Sequence, residues 1–222
     1  MKNKFFFVIY LHDEMLKSLL DAMRLIADSK QQNFAHITVK GPYKTSQKKR
    51  LTIDNQEIAG THLKVTGAGN FFQENQNTVF LKCEENLSLY NIWKKKEEKT
   101  YKEFHPHITI YDGKDREFAS SLFNVISSYK INFQFEIDKL DLYSSKEKGK
   151  LFNLKTQANY NLLSTLSGFR IDESNVESLS KEQRIEIIHL LCRDLEVIVN
   201  DRGLIITKEL KTNKKQSILI EA

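Results

Sequence analysis

Cysteine is scarce in this sequence, and the scarcity limits the kinds of site that the chain can hold. The 222 residues include only two cysteines, Cys83 and Cys192, and neither belongs to a Cys-x-x-Cys pair. A disulfide framework and a cysteine-based zinc site are therefore not expected. Two reduced and mostly buried thiols are typical of a cytoplasmic protein, which is the location that we predict.

Long hydrophobic runs are also missing. No stretch of the sequence is long and apolar enough to span a bilayer. The apolar residues 5–11 follow two lysines, but the run stops at His12 and no small-residue cleavage site comes after it. Because the run is short and rich in aromatic and β-branched residues, we predict a buried strand here and no association with a membrane.

Positive charge is distributed unevenly along the chain. The net charge is +5, but residues 1–157 carry a net +6 and residues 158–222 carry a net −1. The positive excess favours a polyanionic or phosphorylated ligand on the first of these segments. The near-neutral second segment argues against a nucleic-acid-binding role for residues 158–222.

A pattern of histidine, apolar residue, threonine and apolar residue occurs twice, at residues 36–39 and 107–110. With only six histidines and twelve threonines in the chain, chance predicts fewer than one His-x-Thr pair. Each copy lies in a run of residues that is typical of a β-strand ended by glycine. Side chains two residues apart in a strand point to the same face, so each histidine is expected beside its threonine.

The surrounding pattern predicts that the chain is an internal duplication, in which each half has a motif strand, two later strands and a helix packed outside. Strands are predicted at about residues 5–11, 34–40, 62–72, 78–83, 104–111, 131–143 and 150–157. Helices are predicted after Asp13, at about residues 87–100, and after Asp115. Residues 45–61 are predicted to be a loop. The final part is predicted to contain helices at about 158–166 and 181–193, a hairpin at 195–200 and 204–208, and an edge strand at 217–220.

Two imidazoles and two hydroxyls suit the cleavage of a phosphodiester. Histidine titrates near neutral pH, so a pair of histidines can hold one proton and provide both a base and an acid. Threonine hydroxyls can bind and orient the non-bridging phosphate oxygens. Because the acid protonates the leaving oxygen directly, no metal ion or other cofactor is expected.

These motifs resemble those of the two-histidine (2H) phosphoesterase superfamily, which includes 2′-5′ RNA ligase-like proteins and cyclic nucleotide phosphodiesterases. The resemblance covers about residues 4–157. It implies two pseudo-symmetric lobes around a cleft, with His36 and His107 as acid and base and Thr38 and Thr109 as phosphate ligands. It also implies chemistry on 2′,3′-cyclic phosphates, 2′,5′ linkages or related cyclic phosphates.

Five further residues are candidate substrate ligands because they share a motif face, lie near a strand end or carry an aromatic ring. They are Lys40, Tyr43, His105, Tyr111 and Tyr143. His105 and His107 form a His-x-His pair that could suggest a metal site with His36 or His62. No Asp or Glu is expected beside His105, and zinc sites usually have carboxylates near their ligands, so a metal site is not predicted.

We therefore predict an α+β fold with antiparallel sheets lining a central cleft and helices outside. Residues 1–157 are predicted to form the two-lobed domain, and residues 158–222 a small α/β appendage of unknown role. The predicted function is metal-independent phosphodiester cleavage on an RNA 2′,3′-cyclic phosphate or a 2′,5′-linked nucleotide. A phosphodiesterase for a signalling nucleotide and a non-catalytic RNA-binding module are the alternatives. The substrate, the oligomeric state and the assignment of acid and base stay open.

Overall fold

The computed structural model describes residues 4–30, 33–46, 48–58, 60–94, 103–145 and 176–202. The strands are β1 Phe5–Tyr10, β2 His36–Tyr43, β3 Thr61–Phe72, β4 Asn77–Cys83, β5 His107–Gly113, β6 Phe133–Ile137 and β7 Asp141–Ser144. The helices are α1 Glu14–Ala27, α2 Lys48–Ile58, α3 Leu87–Lys94, α4 Arg116–Ser127 and α5 Lys181–Arg202.

All seven strands join one antiparallel sheet in the order β6-β3-β4-β5-β2-β1-β7. This confirms the prediction of an α+β fold with an antiparallel sheet. The two motif strands, β2 and β5, are neighbours in the middle of the sheet and pair at Ile37 and Ile108.

The division into two pseudo-symmetric lobes is not confirmed. β3 and β4 follow the first motif along the chain, yet they extend the sheet from the second motif strand. β1 and β7 extend it from the first motif strand, although β7 follows the second motif. The two halves of the sheet are therefore interleaved in sequence and do not follow each other as a simple duplication would.

Helices α1 and α4 cover the buried face of the sheet. The apolar stripe of α1 consists of Leu16, Leu19, Leu20, Met23 and Ile26, which are fully buried. Burial of one such side chain contributes roughly 1.5–3 kcal/mol to stability. As predicted, Asp13 caps α1, because its carboxylate accepts hydrogen bonds from two backbone N–H groups of the first turn at 3.0 and 2.9 Å. Asp115 likewise caps α4.

Two predictions in the first 145 residues are wrong. The segment predicted as a loop, residues 45–61, contains helix α2. Its buried residue Ile58 joins the core, and its Asn55 bonds both the N–H and the carbonyl of Leu140. The predicted strand 131–143 is two strands, β6 and β7, which lie at opposite edges of the sheet.

The first motif strand is also longer than predicted. β2 continues through Gly41-Pro42 to Tyr43, which pairs with Phe5 of β1. Proline has no backbone N–H to donate to a neighbouring strand. The strand can continue through Pro42 because the pairing with β1 is interrupted by register shifts at the same place.

The C-terminal hairpin predicted to start at residue 195 is wrong over its first strand, because α5 continues to Arg202. Buried residues recur at helical spacing along it, at Leu191, Cys192, Leu195, Ile198 and Val199. The helix joins the same core as α1 and α4. Arg184 of α5 donates to the carbonyl of Ile26 at the end of α1 at 2.7 Å. No helix in the described part of the chain is long and apolar enough to cross a membrane.

Several other predictions lie outside the described residues. These are the strands at 150–157 and 217–220, the helix at 158–166, the second hairpin strand at 204–208 and the end of the helix at 87–100. The domain boundary between residues 157 and 158 also lies there, so the appendage stays a prediction.

The helical structure of residues 195–199 can be tested by mutation. In a helix Leu195 is fully buried while Val197 is 53% exposed, whereas in a strand both would share one face. We expect Leu195→Ala to reduce the free energy of unfolding by about 2–5 kcal/mol. The control Val197→Ala should change it by less than about 0.5 kcal/mol. Urea unfolding measures both, and equal losses would contradict the helix.

Candidate active site

The four motif side chains meet on one face of the sheet, at the junction of β2 and β5. Because Ile37 pairs with Ile108 in an antiparallel ladder, His36 lies opposite Thr109 and Thr38 lies opposite His107. Both isoleucines are fully buried on the other face. Each histidine is therefore roughly 7 Å along its strand from its own threonine and roughly 5 Å from the threonine across the ladder.

Both imidazoles are oriented by the same local contact. Nδ1 of His36 lies 2.7 Å from the carbonyl oxygen of Phe34, and Nδ1 of His107 lies 2.6 Å from that of His105. A carbonyl oxygen can only accept, so Nδ1 must carry the proton in each ring. This leaves Nε2 of both neutral histidines as a proton acceptor.

Aromatic rings hold the two imidazoles in place. The ring of His36 lies between Tyr10 and Tyr143, with centroid separations of 5.9 and 6.0 Å. The ring of His107 contacts Phe71 and Phe80 at 5.6 and 4.7 Å. Such contacts restrict ring rotation, so each Nε2 keeps a defined direction.

The electrostatic surroundings of the two histidines differ. The pKa of His36 is lowered to about 4, mainly by burial and also by Arg24 and His107, against the opposing effect of the hydrogen bond to the Phe34 carbonyl. Burial also lowers the pKa of His107, and His105 lowers it as well, while the hydrogen bond to the His105 carbonyl and the carboxylate of Asp112 oppose that change. The effect of His107 on His36 is consistent with two imidazoles in one site. Burial together with Arg24 makes His36 a weak base, whereas the surroundings of His107 include a carboxylate that favours its charged form.

A buried acid and a buried base on α1 connect the backbones of both motif strands. Asp21 accepts a hydrogen bond from the N–H of Ala35, next to His36. Arg24 donates to the carbonyl oxygen of Thr109 and, at 3.3 Å, to that of Asn33. Both side chains are 3% exposed, and burial raises the pKa of Asp21 to about 7.

Sequence reasoning missed this pair. The available signal was Arg24, which lies within the apolar stripe of α1 four residues after Leu20 and three before Ala27. A charged residue at such a position needs buried partners, and here they are backbone carbonyls at the motif strands.

A cavity of about 760 Å³ opens over the motif face. Three of the four motif residues line it, namely Thr38, His107 and Thr109, whereas His36 is not among the lining residues. The other lining residues are Phe6, Val39, Lys40, Gly41, Phe71, Gln73, Gln76, Thr78, Trp93, Glu103, Phe104, His105 and Asp112.

Two β-bulges change which side chains reach this cavity. The pairing of β5 with β4 skips Ile110, because Val79 opposes Tyr111 and Phe80 opposes Thr109. Ile110 and Tyr111 are consequently both buried in the core. The expectation that Tyr111 shares the face of Thr109 is therefore wrong, and Asp112 lies at the cavity instead.

A similar register shift at Val39 changes the environment of Lys40. Lys40 pairs with Phe7, which is a core residue. The lysine is 7% exposed, and its Nζ donates to the carbonyl of Ile92 near the end of α3 at 3.1 Å. Lys40 still borders the cavity, so its contact with phosphate stays a prediction.

The other candidate ligands have different surroundings. Tyr43 packs against Phe7 at 5.3 Å and is not among the lining residues. Tyr143 stacks on the ring of His36. Its hydroxyl accepts a hydrogen bond from Asn33 at 3.0 Å. His105 lines the cavity, and its contact with substrate stays a prediction.

The expectation that no carboxylate lies beside His105 is wrong, because Glu103 Oε2 lies 2.9 Å from its Nε2. Glu103 precedes His105 by two residues, which is the spacing that puts side chains on one face of an extended chain. Within the described ranges, no group of three or more His, Cys, Asp or Glu side chains is arranged to hold a metal ion.

Comparison with known protein families places both motifs within a matched region. A family model described as the 2′-5′ RNA ligase superfamily matches residues 13–149. These residues include both motifs and all the strands except β1. No curated protein matches the chain.

The protonation of the two imidazoles can be measured by long-range ¹H–¹⁵N NMR correlation spectra. At pH 7 we expect both His36 and His107 to be neutral with the proton on Nδ1, because each Nδ1 faces a carbonyl. His36 should titrate near pH 4. His36→Gln and His107→Gln variants assign the signals. A proton on Nε2, or a His36 titration near pH 6.5, would contradict the described environment.

Proposed function

Since the chain belongs to the 2′-5′ RNA ligase superfamily, we propose that it is a phosphodiesterase that cleaves an RNA 2′,3′-cyclic phosphate or a 2′,5′-linked nucleotide. The observation that carries this proposal is the pairing of Ile37 with Ile108, which brings two His/Thr pairs to one face. A phosphate above this junction would have a hydroxyl and an imidazole from each strand around it.

The two hydroxyls bind the phosphate in the proposed mechanism. Thr38 and Thr109 lie diagonally across the junction, so each can donate to a different non-bridging oxygen of one phosphate. Donors that are already in place stabilise the charge that develops on these oxygens in the transition state, without reorganisation during the reaction.

We assign the base to His36 and the acid to His107. Arg24 and burial keep His36 unprotonated, so its Nε2 can take a proton from the attacking water. The water oxygen bonds to phosphorus, and the bond from phosphorus to the leaving oxygen breaks. The proton of His107 passes to that oxygen, which gives a phosphomonoester and a free hydroxyl. Solvent then returns the proton from His36 to His107.

The proton on His107 arrives with the substrate in this scheme. Burial lowers the pKa of His107 in the free protein, while Asp112 raises it. A phosphodiester anion beside the ring favours the imidazolium form further. The mechanism uses no metal ion, because the leaving oxygen is neutralised by this proton.

Turnover of ribonucleoside 2′,3′-cyclic phosphates and of 2′,5′-linked dinucleotides, measured with and without EDTA, tests the proposal. His36→Gln and His107→Gln should each reduce kcat by about 10²–10⁴-fold, because each removes a proton-transfer group. Thr38→Val and Thr109→Val should each reduce it by about 10²-fold. The control His12→Gln changes an exposed histidine that faces Asp138 and should keep normal activity.

The pH dependence gives a second readout in the same assay. kcat/KM should follow a bell with its maximum below pH 6.5 and its acid limb near the pKa of His36, about 4. A His36→Gln or His107→Gln variant that keeps most of the turnover would contradict the mechanism. Tight binding of RNA without turnover of any substrate would support a binding module instead.

A further inference from the structure

A row of three side chains crosses the sheet beside the motif residues. Phe71 of β3 pairs with Thr78 of β4, and Thr78 pairs with Asp112 of β5. Directly paired residues of antiparallel strands project from the same face, and all three line the cavity. Thr78 is two residues along β4 from Phe80, which pairs with Thr109. The row therefore lies roughly 7 Å from Thr109.

Phe71 presents an aromatic surface to the cavity. It is 37% exposed, whereas its neighbour Phe80 is 4% exposed. The two rings are in contact at 4.5 Å between centroids, and the rings of Phe71 and His107 are nearly perpendicular with centroids 5.6 Å apart. The exposed ring is therefore supported from below by a buried one and has a defined orientation.

Gly69 allows this support. A Cβ atom at that position would lie 2.4 Å from Cε2 of Phe80, which is too close for any side chain. Because Gly69 pairs with Phe80, the ring of Phe80 lies over the strand and reaches both Phe71 and His107. The aromatic surface and the motif histidine thus belong to one packed unit.

Asp112 presents hydrogen-bond acceptors at the other end of the row. Its two carboxylate oxygens accept from Nε2 of Gln76 at 2.9 and 3.0 Å, and one of them also accepts from the hydroxyl of Thr78 at 2.8 Å. An ionised carboxylate can accept further hydrogen bonds but cannot donate. A ligand at this position is therefore expected to offer N–H or O–H donors.

We propose that Phe71 and Asp112 form a nucleobase subsite of the candidate active site, in which the base stacks on Phe71 and donates from its edge to Asp112. The proposal rests on the proposed function of the same cavity. A nucleotide has a flat base that can stack on Phe71, N–H donors that can reach Asp112, and a phosphate that can lie at the neighbouring motif residues. Stacking on an aromatic side chain suits any base, and the carboxylate favours bases that offer donors.

The subsite is tested with pairs of substrates that differ only in the base. The probes are ribonucleoside 2′,3′-cyclic phosphates and methyl riboside 2′,3′-cyclic phosphate, which has the same sugar and diester without a base. The measured quantity is the ratio of kcat/KM for the nucleoside to kcat/KM for the riboside. We expect Phe71→Leu to reduce this ratio about tenfold or more, and Phe71→Trp to retain it. Asp112→Asn should reduce it for bases with N–H donors.

Phe72→Leu is the matched control, because Phe72 lies next in the same strand but contacts Phe123 and Arg116 on the opposite side. Its ratio should equal that of the unchanged protein. A Phe71→Leu variant with an unchanged ratio, or the same loss in Phe72→Leu, would overturn the subsite while leaving the proposed function intact.

If the unchanged protein turns over none of these diesters, the proposed function is contradicted. A binding measurement then tests the nucleobase subsite separately. Calorimetric titration with nucleoside 3′-monophosphates then tests the subsite directly. Binding that weakens about tenfold in Phe71→Leu and persists in Phe72→Leu would support a nucleobase subsite. Equal affinity in both variants, or no binding, would overturn it.

Discussion

The contact between Ile37 and Ile108 is the constraint on which the site depends. This is the pair that joins β2 to β5, and both side chains are fully buried against the helices. Because neighbouring residues in a strand point to opposite faces, burial of these two isoleucines directs the flanking histidines and threonines to the cavity face. The hydrophobic energy of the core therefore sets the arrangement of the polar groups. A slip of one residue in either strand would bury two of them.

The two motif histidines have similar hydrogen bonds and ring contacts, but the charged residues that act on them have opposite signs. Each histidine donates Nδ1–H to the carbonyl two residues before it and contacts two aromatic rings. Arg24 acts on His36 from α1, and Asp112 acts on His107 from the end of β5. Nearly symmetric geometry with opposite local charges is suited to a reaction that needs one base and one acid. The same Arg24 also bonds the carbonyl of Thr109, so one side chain links the position of one motif to the protonation of the other.

The sequence allowed the strands and the shared faces within each motif to be predicted, because strand alternation is local. It did not allow the order of the strands to be predicted, since pairing of β3 with β6 and of β1 with β7 joins residues far apart in the chain. The extra residues Val39 and Ile110 break the alternation, and this is why the expectation for Tyr111 failed and Asp112 was missed. Residues 195–202 contain β-branched and turn-forming types, but the burial of Leu195, Ile198 and Val199 in the core outweighs that local preference.

The central claim is that both imidazoles serve one phosphate. The most direct measurement is a titration of ¹⁵N-labelled protein with a nucleoside 3′-monophosphate, in which the Nε2 signals of His36 and His107 are followed together. If the two rings share one anion site, both signals should shift along a single curve that saturates at one equivalent, and the pKa of His107 should rise. Shifts of one histidine alone, or two curves with different midpoints, would contradict the claim.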